Sequence, residues 1–377
     1  VANTITYVTP QLLAMGLKAL RENAILPRLV NQNYNTFGAQ RGNVINIPVP
    51  SAISARSITP SVTINSNVDS SPTTVAVTLD QWYEAPFQLS DNDSLSTTAD
   101  FPAMQASEAV KALINTIDAH IFSKHVGLYS VTGTAGTTPF ASGVTNAAAA
   151  RTALNAQLAP MDGRRAVLDP DAEGNLLQAQ NILDFGKSGE QGPIIRGTIG
   201  TKLGFDWYMD QNISTFTPGT AWVTNWSFAG TATTGSYTIS AICTTSGTVL
   251  VGDIFSYNGY SYAITTAATA VTATALSLTI YPGLKTAAVS AEVFTVKIAS
   301  EYTVNLAFAR DCFAFVSRPL ADSADGLGNS IAQVVDNISG VAMRLELSRQ
   351  YKQTTHSFDA LWGSKCVRPE FGTKIAG

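Results

Sequence analysis

The chain has 377 residues, 45% of them hydrophobic and only 13% charged, with a formal net charge of −4. That apolar content excludes intrinsic disorder, and a chain of this length buries roughly three quarters of its unfolded surface, ample for more than one domain. Charge lies well below the usual level of about 25%, so much of the surface must be neutral and polar, and the slight acidity excludes strong sequence-independent nucleic-acid binding.

The first residues, Val1 to Thr6, lack the basic and apolar regions of a signal peptide, and no uncharged apolar run approaches about 18 residues. A soluble, cytoplasmic chain without membrane contact is expected. Cys243, Cys312 and Cys366 are odd in number, far apart and without metal-ligand spacing. The expectation is reduced structural thiols, with neither a disulfide framework nor a zinc site.

In chain order, a Thr-Pro start and Leu12, Leu13, Met15, Leu17 and Leu20 predict an amphipathic helix over residues 9–23. Ile45, Ile47 and Val49, then Val75, Val77 and Leu79, alternate with polar residues as two strands do. Pro60, Asn65, Asn67, Ser70 and Pro72 between them suit turns, so residues 41–83 read as a long two-stranded excursion. Alone in water such a hairpin is marginal and needs neighbours.

The strongest helix signal runs from Asp100 to about Val126. Asp100 stands where a cap belongs, Pro102 in the first turn and Gly127 past the end, and Ala106, Val110, Leu113, Ile114, Ile117, Ile121 and Phe122 form one apolar stripe. At about 1.5 Å per residue this helix is roughly 40 Å long. Beyond a Gly/Thr-rich loop at 132–143, a helix at 146–158, a strand at 165–168 and a helix at 170–183 predict an α/β region. The glycines of 186–204 suit a surface loop.

Between Asn212 and Val296 only Asp253, Lys285 and Glu292 are charged. Strand-like runs such as Tyr260 to Ile264 alternate with turns, Asn258-Gly259 among them, which predicts an inserted β-barrel or sandwich of about 85 residues. Strands at 307–317, 341–348 and 359–362 close the chain.

Candidate chemistry is sparse. Gly186-Lys187-Ser188 ends like a phosphate-binding loop, but Asn181 stands where the upstream glycine belongs and the tripeptide follows a helix. Asp91, Asn92 and Asp93 lack the glycine and distal Glu of a calcium loop. His120, His125 and His356 are not at the i, i+4 spacing of a metal pair, no Gly-x-Ser-x-Gly elbow exists, and Cys312 sits in an apolar strand where thiols are usually inert. Arg164 and Arg165 read as a solvated strand end or an ion pair. No catalytic, cofactor-binding or metal residue is assigned, and an enzyme is not expected.

Several stretches carry a family likeness in their joint order: Thr6-Tyr7-Val8-Thr9-Pro10 with its helix, Arg41-Gly42-Asn43-Val44-Ile45-Asn46-Ile47-Pro48, and Ala166-Val167-Leu168-Asp169-Pro170. Ile199 to Phe205, Val251 to Phe255, Asn305 to Phe308, Arg310-Asp311, Pro319-Leu320, Arg344 to Tyr351 and Asp359 to Gly363 continue it. The chain resembles the major coat protein of tailed double-stranded DNA bacteriophages, the α+β Hong Kong 97 capsid fold, with nearest kinship to short-tailed phage coat proteins carrying an inserted β-domain.

The resemblance implies an N-terminal arm (1–40), an extended β-hairpin (41–83), a peripheral domain (84–130 and 341–377), an axial domain (131–211 and 297–340) and the inserted β-domain (212–296). It implies hexamers and pentamers closing into an icosahedral virion shell assembled in the host bacterial cytoplasm. Scaffolding and portal proteins are the implied partners, a decoration protein is a further one, and the double-stranded DNA is enclosed without specific binding. Contacts between subunits are expected at Arg41, Arg56, Asp69 and Asp80 of the excursion and at Lys187, Glu190 and Arg196 of the Gly-rich loop. The family's self-crosslinking branch uses a Lys in the excursion, and residues 41–83 contain none. Two alternatives remain: an encapsulin-like cellular compartment shell and a Thr-rich β-adhesin.

Overall fold

The computed structural model describes residues 8–35, 42–51, 53, 55, 57–58, 60, 71–96, 101–183, 197–223, 226–321 and 329–377. Two sheets carry most of this chain. The first has five antiparallel strands, Gln81–Ser90, Phe313–Arg318, Asn329–Val335, Ala342–Gln350 and Gln353–Cys366. Gln353–Cys366, 14 residues long, is its axis: it pairs with Ala342–Gln350 and Phe313–Arg318 and, from Trp362↔Gln81 to Gln353↔Ser90, with Gln81–Ser90.

The long helix Phe101–Ser123 lies against this sheet, ending in a 3₁₀ turn, Lys124–Gly127. All seven residues of its expected stripe are buried. They join Met343, Leu345, Phe358 and Trp362 of the sheet and Leu12, Leu13, Ala19 and Leu20 of the arm helix Val8–Asn23 in one core. The arm helix is amphipathic because its partner is the long helix, so neither has a fully wet face.

The second sheet is mixed. Tyr302–Ala309 runs antiparallel to Gly372–Ala376 on one side and to Arg164–Leu168 on the other. Val131–Gly133 and Phe205–Met209 add parallel strands beyond these, and Thr201–Lys202 and Thr215–Phe216 complete seven. Helices Thr145–Ala156 and Pro170–Gln178 cover one face through Ala147, Ala150, Leu154 and Leu176. Asp169 caps the second of these, its carboxylate accepting from the N–H groups of Asp171 and Ala172.

Six strands, Trp226–Phe228, Thr238–Cys243, Ile254–Tyr257, Tyr260–Ile264, Leu276–Tyr281 and Val293–Val296, close into a barrel. Its interior is filled by Trp222, Trp226, Phe228, Phe255, Tyr262 and Phe294, with Phe255 and Phe294 ring centroids 4.5 Å apart. Asn258 and Gly259 turn between two of its strands at φ +48° and +81°, the twist that a two-residue hairpin favours.

Several expectations are corrected. Residues 307–317 are two strands, split at the exposed pair Arg310 and Asp311, and the halves belong to different sheets. Phe313–Arg318 and Asn329–Val335 pair in the five-stranded sheet, while Gly372–Ala376 crosses to the seven-stranded one. The strand expected at 359–362 runs from Gln353 to Cys366, because its polar first half gains a partner on each side and needs no apolar alternation. The helix expected over 170–183 breaks at Ala179, where the backbone is extended. Part of the expected Gly-rich loop is a tight hairpin, Thr201–Lys202 with Phe205–Met209, turned by Leu203 and Gly204 at positive φ.

Candidate assembly surface

What stands out is apolar surface left uncovered in one stretch of chain. Val44–Val49 and Thr73–Thr78 form the expected antiparallel hairpin, Val44 opposite Thr78 and Val49 opposite Thr73. Its root is seated: Ile45, Ile47, Val77 and Leu79 pack on Ala314 and Val316, and the Arg318 guanidinium donates to the Gly42 carbonyl at 2.8 Å. Beyond the root the same excursion exposes Ile53 (74%) and Ile58 (80%), and among the described residues neither strand bonds to a third.

Gln81–Ser90 follows directly and is an edge strand, bonded to Gln353–Cys366 on one side alone among the described residues. Pro86, which cannot donate to a ladder, is compatible with that position. The strand carries Trp82 and Tyr83, 63% and 48% exposed. The Trp82 indole N–H donates to Asp359 at 3.2 Å, and Arg344 holds the same carboxylate through two bonds of 3.0 and 2.7 Å. Tyr83 stacks on the buried Trp362, centroids 5.5 Å apart. The two exposed aromatics, on opposite faces of this edge strand, are each held against the sheet with surface left uncovered, as aromatic anchors of interfaces are.

Of the residues expected at subunit contacts, Asp80 lies within the described structure. It is exposed, and its charge acts on His120 and Lys124. Arg41, Arg56, Asp69, Lys187, Glu190 and Arg196 lie outside the described residues. Trp82 and Tyr83 were missed by the sequence reading; their signal was two large aromatics in a polar stretch with no periodicity to bury them.

Buried charge gathers where the barrel meets the seven-stranded sheet. Lys374 is fully buried, its ammonium donating to the Gly252 carbonyl at 3.2 Å over the Phe216 ring. Burial pulls it down to about 7 and pushes nearby Asp253, which accepts from the Leu250 and Gly219 N–H groups, up to about 6. His125, also buried here, is pulled down to about 3 by burial and then by Lys374. All three groups are buried in the joint. Among the described residues no three His, Cys, Asp or Glu side chains group as a metal site, and no helix is long and apolar enough to cross a membrane.

No protein-family model matches the chain, and no curated protein matches it. Among solved structures it is similar to a chain from Mycobacterium phage Che8, at 15% identity and a TM-score of 0.54, covering 94% of this chain and 91% of that one. Looser likenesses are to a chain of the capsid of cyanophage P-SCSP1u (12% identity, TM-score 0.49, 89% and 84% covered) and to the virus-like particle from Pyrococcus furiosus (9%, 0.47, 98% and 99%). The chain shares its overall fold with the phage Che8 chain: an α+β, Hong Kong 97-like capsid fold of arm, hairpin, long helix and two sheets, here with a closed six-stranded barrel.

Proposed function

We propose that this chain is a major capsid protein whose copies assemble as hexamers and pentamers into an icosahedral shell around a phage double-stranded DNA genome. The observation that carries this reading is a fold shared with a phage chain along 94% of the sequence. The apolar excess of the hairpin and the edge aromatics support it, since burial that one copy cannot supply is available from the next, and symmetry repeats it. The role is structural, not enzymatic, and the location is the virion, assembled in the host cytoplasm. A scaffolding protein and a portal are the partners, with a decoration protein as a further one. DNA is enclosed by a faintly acidic protein that holds it without specific contacts.

In this reading the excursion 41–83 overlaps the adjacent subunit and residues 186–197 lie near the capsomer centre, where Lys187, Glu190 and Arg196 meet their symmetry mates. The test is sedimentation with negative-stain microscopy of the purified chain, alone and co-expressed with the neighbouring open reading frames of its source genome. Closed shells of uniform size, or rings that close when a partner is added, are expected. A monodisperse monomer under every condition refutes the reading. Shells that carry a cargo enzyme and exclude DNA refute the genome and keep the shell.

A further inference from the structure

Two cysteines 54 positions apart in sequence meet in the fold. The chain crosses between the two sheets twice near its end, once through the 3₁₀ turn Arg310–Cys312 and once through residues 367–371. The crossings lie side by side: the Val367 and Arg368 N–H groups donate to the Cys312 carbonyl at 2.8 and 3.2 Å, and Phe313 is the register partner of Cys366. Positions one step off register on neighbouring strands are about 6 Å apart at Cα, inside the roughly 4.4–6.8 Å that a disulfide spans. In a regular strand such neighbours point to opposite faces. Cys312 belongs to a turn instead, and its carbonyl is held by the two residues that follow Cys366.

Two glycines border the pair. A Cβ on Gly372 would stand 2.9 Å from the Cys312 sulfur, and one on Gly127 would stand 3.5 Å from the Cys366 sulfur. Cys312 is fully buried and Cys366 half-buried. We propose that Cys312 and Cys366 are an oxidation site at which a disulfide staples the two crossings and so fixes one sheet to the other.

With a peroxide as oxidant the step balances. The Cys366 thiol becomes a sulfenic acid and the peroxide leaves one oxygen as water. The Cys312 sulfur then attacks the Cys366 sulfur, the S–S bond forms, and the sulfenic hydroxyl leaves as water with the Cys312 thiol proton. Burial, and then the neighbouring thiol, push the Cys312 thiol well up, which slows the second step. Cys243, buried in the barrel wall and bonded to the Thr245 carbonyl, provides an internal control. The proposal does not depend on the shell reading.

The test treats the full purified chain with hydrogen peroxide, then denatures and alkylates it. Expected are a mass lower by two hydrogens, a peptide linking Cys312 to Cys366, alkylation at Cys243 alone, and a melting temperature raised by a few degrees that reductant reverses. In Cys366→Ser the mass loss and the rise both disappear. Three alkylated thiols after treatment, a sulfinic acid at Cys366 with Cys312 still free, or links between chains in place of the internal one would each overturn the proposal.

Discussion

His120, His125 and His356 are the only histidines, and burial is the first cause holding each below its ordinary value: His120 at about 4, His125 at about 3, His356 in the same direction. The Trp362 indole N–H donates to His120 Nδ1 at 3.1 Å, a bond only the unprotonated nitrogen accepts. Because the folded values lie below the unfolded one, the folded chain binds fewer protons. The stability these rings contribute is complete above about 6.5 and is lost as pH falls toward their folded values. Asp253, raised to about 6, works the other way and regains stability as pH falls from there toward its unfolded value, offsetting part of the loss. The His120 ring resonances in a histidine-labelled sample are therefore expected to stay flat from about pH 8 to about 5.5. A midpoint near 6.5 would contradict the buried, neutral ring. None of this was legible in sequence, since spacing rules out metal pairs but is silent on burial. Asp118, fully buried on the apolar stripe of the long helix and pushed well up first by that burial, escaped for the same reason.

The hairpin depends on a position the sequence gives no reason to single out. A Cβ on Gly363 would stand 2.1 Å from the Thr78 carbonyl oxygen, so the hairpin crosses Gln353–Cys366 over a residue that must lack a side chain. Gly363→Ala is expected to lift the root from Ala314 and Val316 at a cost of about 2–4 kcal/mol, read as a lowered melting temperature with new protease cuts at the excursion. Unchanged melting and cleavage would show that the crossing relaxes at no cost. The hairpin itself, the long helix and the barrel were legible because each has a local signature: period two, period 3.6, or short alternating runs broken by turns such as Asn258-Gly259. What was not legible is sheet membership. Tyr302–Ala309 and Phe313–Arg318 are both almost wholly buried and read as one apolar run, and only long-range pairing separates them. The meeting of Cys312 with Cys366 follows from that same crossing, which is why cysteine spacing pointed away from it.

At the scale of the whole molecule, sparse charge decides how copies would hold one another in the proposed shell. Of the barrel's three charged residues Asp253 is buried, and Glu292 accepts a hydrogen bond from the Tyr257 hydroxyl. The excursion offers Val44, Ile53 and Ile58, and the adjoining strand Trp82 and Tyr83. Contacts built from such surface are apolar and hydrogen-bonded, so they escape the screening that shortens ionic interactions to about 3 Å at 1 M salt. Burying an isoleucine is worth about 1.5–3 kcal/mol, so Ile53 and Ile58 together contribute up to about 3–6 kcal/mol per subunit contact. Every 1.4 kcal/mol is about tenfold in an association constant, so Ile53→Ser with Ile58→Ser is expected to raise the concentration needed for assembly by about a hundredfold or more. Both side chains are exposed in the single copy, so circular dichroism and melting of the unassembled double variant should match the parent. Light scattering against protein concentration, at low salt and at about 1 M, reads both effects: parent shells persist at high salt, and the double variant fails to close at either. Assembly of the double variant at the parent's concentration would remove the excursion from the contact. Parent shells that dissolve in high salt would instead move the contact to the charged residues, with Asp80 and its neighbour Lys124 the first to examine.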